Sequence, residues 1–126
     1  GGRIEAGETP EAAALREGYE EVGVDPAAPR VLGRLSPIHI PPSGFSVTPV
    51  VAAVEERPPF TPHEAEVAAL IEVPLEKLLD PATRRLSERV VRGGRFEVPH
   101  FALDEYEVWG ATAMMLAELV AVLRTL

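Results

Sequence analysis

Cysteine is absent from the 126 residues, which excludes disulfides, thiolate nucleophiles and cysteine-ligated metals. Lysine is almost absent: of the twelve basic residues, only Lys77 is a lysine and the rest are arginines. Positive charge as a whole is in deficit. The net charge is −8 and the pI about 4.9, so a general affinity for nucleic-acid backbones or anionic membranes is not expected. An anionic small substrate stays open if a metal ion supplies positive charge locally. No apolar run approaches the ~20 residues of a membrane span, and no signal peptide opens the chain, so a soluble cytoplasmic protein is the default. The three histidines, His39, His63 and His100, have no metal-ligand spacing, which argues against zinc. There is no internal repeat and no low-complexity stretch. The chain opens Gly1-Gly2-Arg3 without an initiator methionine, as expected of a processed product or a fragment.

What is present fits one domain over residues 1–126, with 46% hydrophobic residues for a core. Residues 1–8 read as a turn-rich entry. Thr9 offers an N-cap oxygen, Pro10 suits a first helical position and Glu11 the positive helix end. The helix runs from Pro10 to Val22 and stops at Gly23. At a 3.6-residue period Ala12, Leu15, Tyr19 and Val22 share the side expected to be buried, and Glu17, Glu20 and Glu21 share the other. Downstream, residues 25–30 read as a loop, 31–35 as a strand and 37–44 as a proline-bound loop. Residues 45–54 form a strand broken or edged by Pro49, and 55–62 a loop. A short helix or turn is expected over 63–69, a strand over 70–73 and a short helix over 75–79. A hairpin follows, with strands 89–91 and 96–103 about Gly93-Gly94, then a strand over 107–109 and an amphipathic helix over 111–126. Strands and helices mix without strict alternation, which favours an α+β fold.

The chemistry enters on the acidic helix. Three carboxylates at i, i+3 and i+4 repel one another, and helix propensity gives no reason for them. A divalent cation removes that penalty, because hard oxygen ligands suit Mg²⁺ or Mn²⁺ and phosphate oxygens complete the shell. Taken alone, Glu-x-x-Glu-Glu is more simply a solvated acidic face.

The surrounding residues decide otherwise. Gly2, Glu8, Arg16, Glu17, Glu20, Glu21, Gly23 and Val24 stand at the spacing of the Nudix signature: G, five residues, E, seven residues, RE, an aliphatic residue, any residue, EE, any residue, G and an aliphatic residue. Seven fixed positions coincide by chance on the order of once in 10⁸ starts. Residues 1–24 thus resemble the box of a Nudix hydrolase, with Gly18 where the family carries an aliphatic residue. The resemblance implies an α/β/α sandwich with a mixed β-sheet, of which about three strands preceding the box are missing here. It implies hydrolysis of a pyrophosphate bond in a nucleotide derivative with Mg²⁺ or Mn²⁺. It also implies metal ligation by Glu17, Glu20 and Glu21, with the Gly1 carbonyl as a further ligand. Arg16 and Glu8 match a pair that orients the loop against the helix.

Later pieces occur in an order resembling the coenzyme A pyrophosphatase branch: residues 44–51, Glu66-Val67, Val73-Pro74-Leu75, Leu79-Asp80-Pro81, Val98-Pro99 and residues 109–113. Members of that branch split coenzyme A or its derivatives into 3′,5′-ADP and a 4′-phosphopantetheine moiety. Its second signature would precede the box and is not in this chain. Glu66 matches a glutamate of the branch and is a candidate further carboxylate, against a plainer reading as a solvated loop charge. Phe45 is a candidate for stacking on adenine, against a core aromatic. Arg84, Arg85 and Arg92, with Arg89 and Arg95 beside them, are candidates for meeting a 3′-phosphate, against an exposed hairpin that carries arginines for solubility. His63 reads as a loop residue, His39 as a loop residue near the pocket, His100 as sheet surface and Trp109 as core. The stripe of Met114, Met115, Leu116 and Leu119 packs most simply on the sheet, with a homodimer interface as the second reading. Two alternatives to the coenzyme A activity stay open. One is hydrolysis of ADP-ribose or another nucleoside diphosphate. The other is a non-catalytic fragment or binding module that keeps the box.

Overall fold

In the computed structural model, which describes residues 1–40 and 43–126, the Thr9 side chain caps the first helix. Its Oγ1 accepts from the Ala12 N–H at 3.1 Å, and α1 runs from Pro10 to Val22. Gly23 ends it in the left-handed conformation at φ 75°, with its N–H donating to the Tyr19 carbonyl. The next carbonyls, which a helix end leaves without partners, are taken by a later loop: Thr61 N–H donates to Val22 O at 2.7 Å and His63 N–H to Glu21 O at 2.8 Å. A Cβ on Gly23 would lie 2.9 Å from Thr61 Cβ and 3.2 Å from the Thr61 main chain. Both the turn and the close approach of that loop therefore require glycine.

The buried side of α1 differs from the expected one. Ala13 is buried, whereas Ala12 and Tyr19 are exposed. The segment is helical as its apolar period predicts, but the chain turns inward the face carrying Ala13 and Glu17, the latter with 15% of its side chain exposed. At Gly18 an added Cβ would meet nothing within 4 Å, so the departure there costs conformational freedom, about 1 kcal/mol of helix propensity, rather than packing.

The described residues fall into two compact units. The first comprises residues 1–39 and 45–71. It holds α1 and strands β1 (Arg30–Arg34), β3 (Phe45–Val47) and β4 (Val50–Ala53), with most of β2 (Ile38–Ile40). β1 and β4 pair antiparallel, with a bulge between Val31 and Gly33, and β2 pairs with β3. The break between β3 and β4 falls at Thr48-Pro49, as the missing proline N–H dictates. The loop expected over 37–44 contains β2, because Ile38, His39 and Ile40 are free of proline and can pair. Pro41 and Pro42 lie outside the described residues. Residues 63–67 form a turn, closed by the N–H groups of Glu66 and Val67 on the His63 carbonyl. Across the first unit, Arg34 on β1 holds Glu11 in a two-pronged ion pair. Its guanidinium keeps the Glu11 carboxyl down at about 2, against an ordinary value of 4.5.

The second unit comprises residues 40–44 and 72–126. The strand expected over 70–73 does not form: those residues join no ladder, and Val73 instead packs against the apolar core just before Pro74. Helix α2 (Leu75–Leu79) leads through the Asp80 cap into a 3₁₀ turn over Pro81–Thr83. Thr83 is buried with its hydroxyl donating to Lys77 O at 2.7 Å. The hairpin is longer than expected, with β5 over Arg84–Val91 and β6 over Gly94–Leu103 paired antiparallel from Arg84–Phe101 to Val91–Gly94. Its two-residue turn is Arg92-Gly93, with φ 50° and 78°, the pair of positive angles that matches strand twist. Gly94 therefore opens β6 and is not part of the turn. Strand β7 (Tyr106–Val108) pairs antiparallel with the end of β6. Helix α3 (Gly110–Leu123) packs Ala113, Leu116, Leu119 and Val120 against Phe101, Leu103 and Leu78. It is apolar nearly all round rather than amphipathic, and Met114 of the expected stripe is exposed. The described residues form an architecture of the α+β class, with three α-helices, one 3₁₀ turn and short sheets.

Candidate active site

The first turn of the chain lies on α1 through one guanidinium. Arg16 Nε donates to Glu8 Oε2 at 2.8 Å and Nη2 to Glu8 Oε1 at 3.1 Å. Nη2 also donates to the Arg3 carbonyl at 3.0 Å, and Nη1 to Glu17 Oε1 and Glu20 Oε1, both at 3.2 Å. The five N–H donors of arginine thus hold a loop, its carboxylate and two helix carboxylates together. Glu8 also accepts from the Glu5 N–H at 2.8 Å. The Arg16 fork and then this main-chain bond hold the Glu8 carboxyl below its ordinary value, and Glu8 in turn raises the Arg16 pKa.

Glu17 faces the start of the chain. A Cβ on Gly2 would stand 2.0 Å from Glu17 Oε1 and 2.5 Å from its Cδ, so the carboxylate occupies the space that glycine leaves. The Gly1 amino group donates to Glu21 Oε1 at 2.5 Å, which places the Gly1 main chain beside the third glutamate. Gly2→Ala is expected to push the Glu17 carboxylate off its position and lower kcat/KM by roughly 10–10²-fold, the cost of misplacing a reacting group. Thermal melting should shift little. An unchanged rate would show that the Gly2–Glu17 contact has no role.

The site residues read from the sequence are only partly brought together. Glu8, Arg16, Glu17 and Glu20 share one network, and Glu21 meets Gly1. Glu66 lies in the turn after the loop docked on the end of α1, exposed, with Oε1 3.6 Å from His63 Nδ1. Phe45 is half exposed rather than core, and the Arg3 guanidinium lies 5.3 Å over its ring. The basic cluster divides. Arg84 and Arg85 are neighbours on β5 and so point to opposite faces. Arg84 stacks on Phe101 at 5.3 Å, Arg95 pairs with Glu88 at 3.4 Å, and Arg92 sits in the turn. Trp109 is exposed at 46% beneath Arg89, 4.4 Å away, rather than in the core, and His100 is buried at 6% exposure rather than on the surface. Two contributors escaped the sequence reading. Arg3 lends the network its carbonyl, and Thr61 docks the loop that lines an open cleft of about 900 Å³ beside Tyr19, Glu20 and His63. Arg3 stands inside the box but at a variable position. Thr61 carries no local signal.

The donors suit a divalent cation in kind. Three carboxylates of one helix face, two of them sharing a guanidinium, mark a place where positive charge is demanded. They are not preassembled: among the described residues no three acidic or histidine side chains stand together as a metal cluster. Arg16 holds Glu17 and Glu20 in the geometry that a cation would have to share.

The NUDIX domain family matches residues 1–92. The chain is also 40% identical over 108 residues to proteins named uncharacterized Nudix hydrolase NudL from Salmonella paratyphi B, Salmonella newport and Salmonella heidelberg. Each alignment covers 86% of this chain and 56% of the relative, so the chain spans about half the length of the curated relatives it matches. Divalent metal ions are the general cofactors of Nudix hydrolases. The box residues, the Arg16 network that ties the box loop to α1, and these matches place the chain in the NUDIX domain family.

Proposed function

We infer that the protein carrying this chain hydrolyses a pyrophosphate bond in a nucleotide derivative, with coenzyme A or a derivative as substrate. The observation that carries the hydrolase reading is the box loop clamped by Arg16 against a helix whose Glu17, Glu20 and Glu21 share its start. Glu17, Glu20 and Glu21, with the Gly1 carbonyl, would hold Mg²⁺ or Mn²⁺. Such an ion would draw charge off phosphoryl oxygens and ease the deprotonation of water, so that hydroxide is available to attack phosphorus near neutral pH. The chain's own part is to fix that environment. Arg16 spaces Glu17 and Glu20, Gly2 lets the main chain approach Glu17, and residues 61–65 wall the adjacent cleft. Glu66, the residue after that wall, is the candidate for a further carboxylate at the site.

The coenzyme A reading rests on the ordered sequence pieces downstream of the box and on side chains of the kinds that recognise its nucleotide end. Each is taken within its own unit: Phe45 has an exposed ring of the kind that stacks on adenine, and Arg85 and Arg92 are exposed arginines of the kind that meets a phosphate. Arg84 is a weaker candidate because its guanidinium already lies over Phe101. Cleavage adds one water across the P–O–P linkage of coenzyme A and yields 3′,5′-ADP and 4′-phosphopantetheine. A site that pairs the 3′-phosphate should turn over dephospho-coenzyme A and ADP-ribose with at least ~10-fold lower kcat/KM, since its arginines would lose a charged partner. Chromatographic identification of products from the three substrates, with Mg²⁺ or Mn²⁺ present, tests this. A preference for ADP-ribose would replace the substrate and keep the chemistry. A second reading, a binding module without turnover, draws on the absence of an assembled acidic cluster among the described residues. It predicts nucleotide binding with no product from any of the three.

A further inference from the structure

One face of the β5–β6–β7 sheet carries polar side chains of which the proposed function uses only Arg85. Paired residues of an antiparallel ladder share a face, so the registers Arg85–His100, Ser87–Val98 and Arg89–Phe96 put Arg85, Ser87, Arg89 and His100 on one side. The pairing of Ala102 with Glu107 adds Glu107 to it. The apolar core lies on the other side, around Phe101 and Leu103.

Three polar atoms on this face are buried without a hydrogen-bond partner: Ser87 Oγ, Arg89 Nε and His100 Nδ1. His100 is itself only 6% exposed. Buried polar atoms are almost always satisfied, and three orphans on one face of one sheet are a request for a ligand. The side chains are also held in place. Arg89 lies 4.4 Å over the Trp109 ring and donates through Nη2 to Glu107 Oε2 at 3.2 Å, which leaves Nε unused. The same Glu107 oxygen stands 3.8 Å from His100 Nε2, so Arg89 and His100 gather around one carboxylate.

The chemistry of the orphans selects the ligand. An arginine Nε–H only donates, and a serine hydroxyl can donate beside it. A histidine Nδ1 serves as donor to an oxygen or acceptor from a hydroxyl. Arg85 and Arg89 outnumber Glu107, so the face has a surplus of positive charge. The group that accepts several hydrogen bonds, carries negative charge and can present its own hydroxyl is phosphate. We propose that Ser87, Arg89 and His100 form a phosphate-binding site on this sheet face, separate from the carboxylate helix.

The test uses the chain's small histidine count. With only His39, His63 and His100 present, imidazole resonances can be followed singly while inorganic phosphate or 3′,5′-ADP is titrated in, with EDTA present so that no metal contributes. Either ligand should shift the His100 signals, and Ser87→Ala and Arg89→Lys should each weaken that binding at least ~10-fold, the second because lysine keeps the charge but lacks the Nε–H fork. Circular dichroism checks that both variants fold. A response to inorganic phosphate makes the free ion sufficient, and a response to 3′,5′-ADP alone makes the bound group part of a nucleotide. Glu20→Gln should leave the His100 response unchanged, which separates this site from the hydrolase reading. Silent His100 resonances with both ligands, or equal binding by both variants, would overturn the proposal and leave the orphan atoms to water.

Discussion

Glu21→Gln and Glu20→Gln are each expected to lower the rate of pyrophosphate cleavage by on the order of 10²-fold or more while the melting temperature holds. Glutamine preserves the shape of the side chain and removes one negative charge, so a change confined to kcat isolates metal ligation from folding. The two variants should differ in their side effects. Glu20 is half exposed and shares Arg16 Nη1 with Glu17, and an exposed i,i+4 pair contributes little to stability. Glu21 lies beside Gly1, and its main-chain carbonyl accepts from the His63 N–H, a bond that the substitution leaves intact. Metal titration of the residual activity should show a raised requirement for Mg²⁺ or Mn²⁺ in both. Full activity in either variant would remove that glutamate from the site.

Arg16→Ala is expected to lower both stability and activity, the latter by roughly 10–10²-fold, as when the partner of a ligand is removed. The substitution takes away every hydrogen bond that the guanidinium donates. It leaves Glu8, Glu17 and Glu20 facing one another without their shared cation and the Arg3 carbonyl without its donor. Arg16→Lys should recover part of the activity, because it restores the charge without the two-pronged hold on Glu8. Thermal melting and steady-state kinetics on the three proteins check this. If melting and kinetics were unchanged in Arg16→Ala, the network would have no role in either.

The local parts of this structure were legible in the sequence, and the non-local parts were not. Helix α1 could be bounded at Thr9 and Gly23 because a cap hydroxyl and a left-handed glycine act within one turn. The short helix at Leu75–Leu79 and the break at Pro49 follow from equally local rules. Which side of α1 is buried depends on what packs there, and a periodicity over Ala12, Leu15 and Tyr19 did not reveal that Ala13 and Glu17 turn inward. The part of β5 before Arg89, residues Arg84–Glu88, is not legible because its exposed Leu86 and polar neighbours show no alternation. His100 and Trp109 exchanged their expected environments for the same reason. Burial on a sheet is decided by the partner strand and the neighbouring side chains, and Arg89 draws Trp109 to the surface. At the candidate site, the box spacing identified the Arg16–Glu8 pair and the three glutamates. It said nothing of Thr61, whose contact with Gly23 closes a gap of nearly forty residues.

The central claim is that the carboxylate face of α1 is the divalent-metal site of a Nudix domain. Paramagnetic broadening by substoichiometric Mn²⁺ tests it most directly, because broadening falls off steeply with distance from the bound ion. In the wild-type chain the expected result is selective loss of amide signals from Gly2, Arg3 and Glu17–Glu21, with their recovery in a Glu20→Gln, Glu21→Gln double variant. Uniform broadening, or broadening centred elsewhere and unchanged in the double variant, would contradict it.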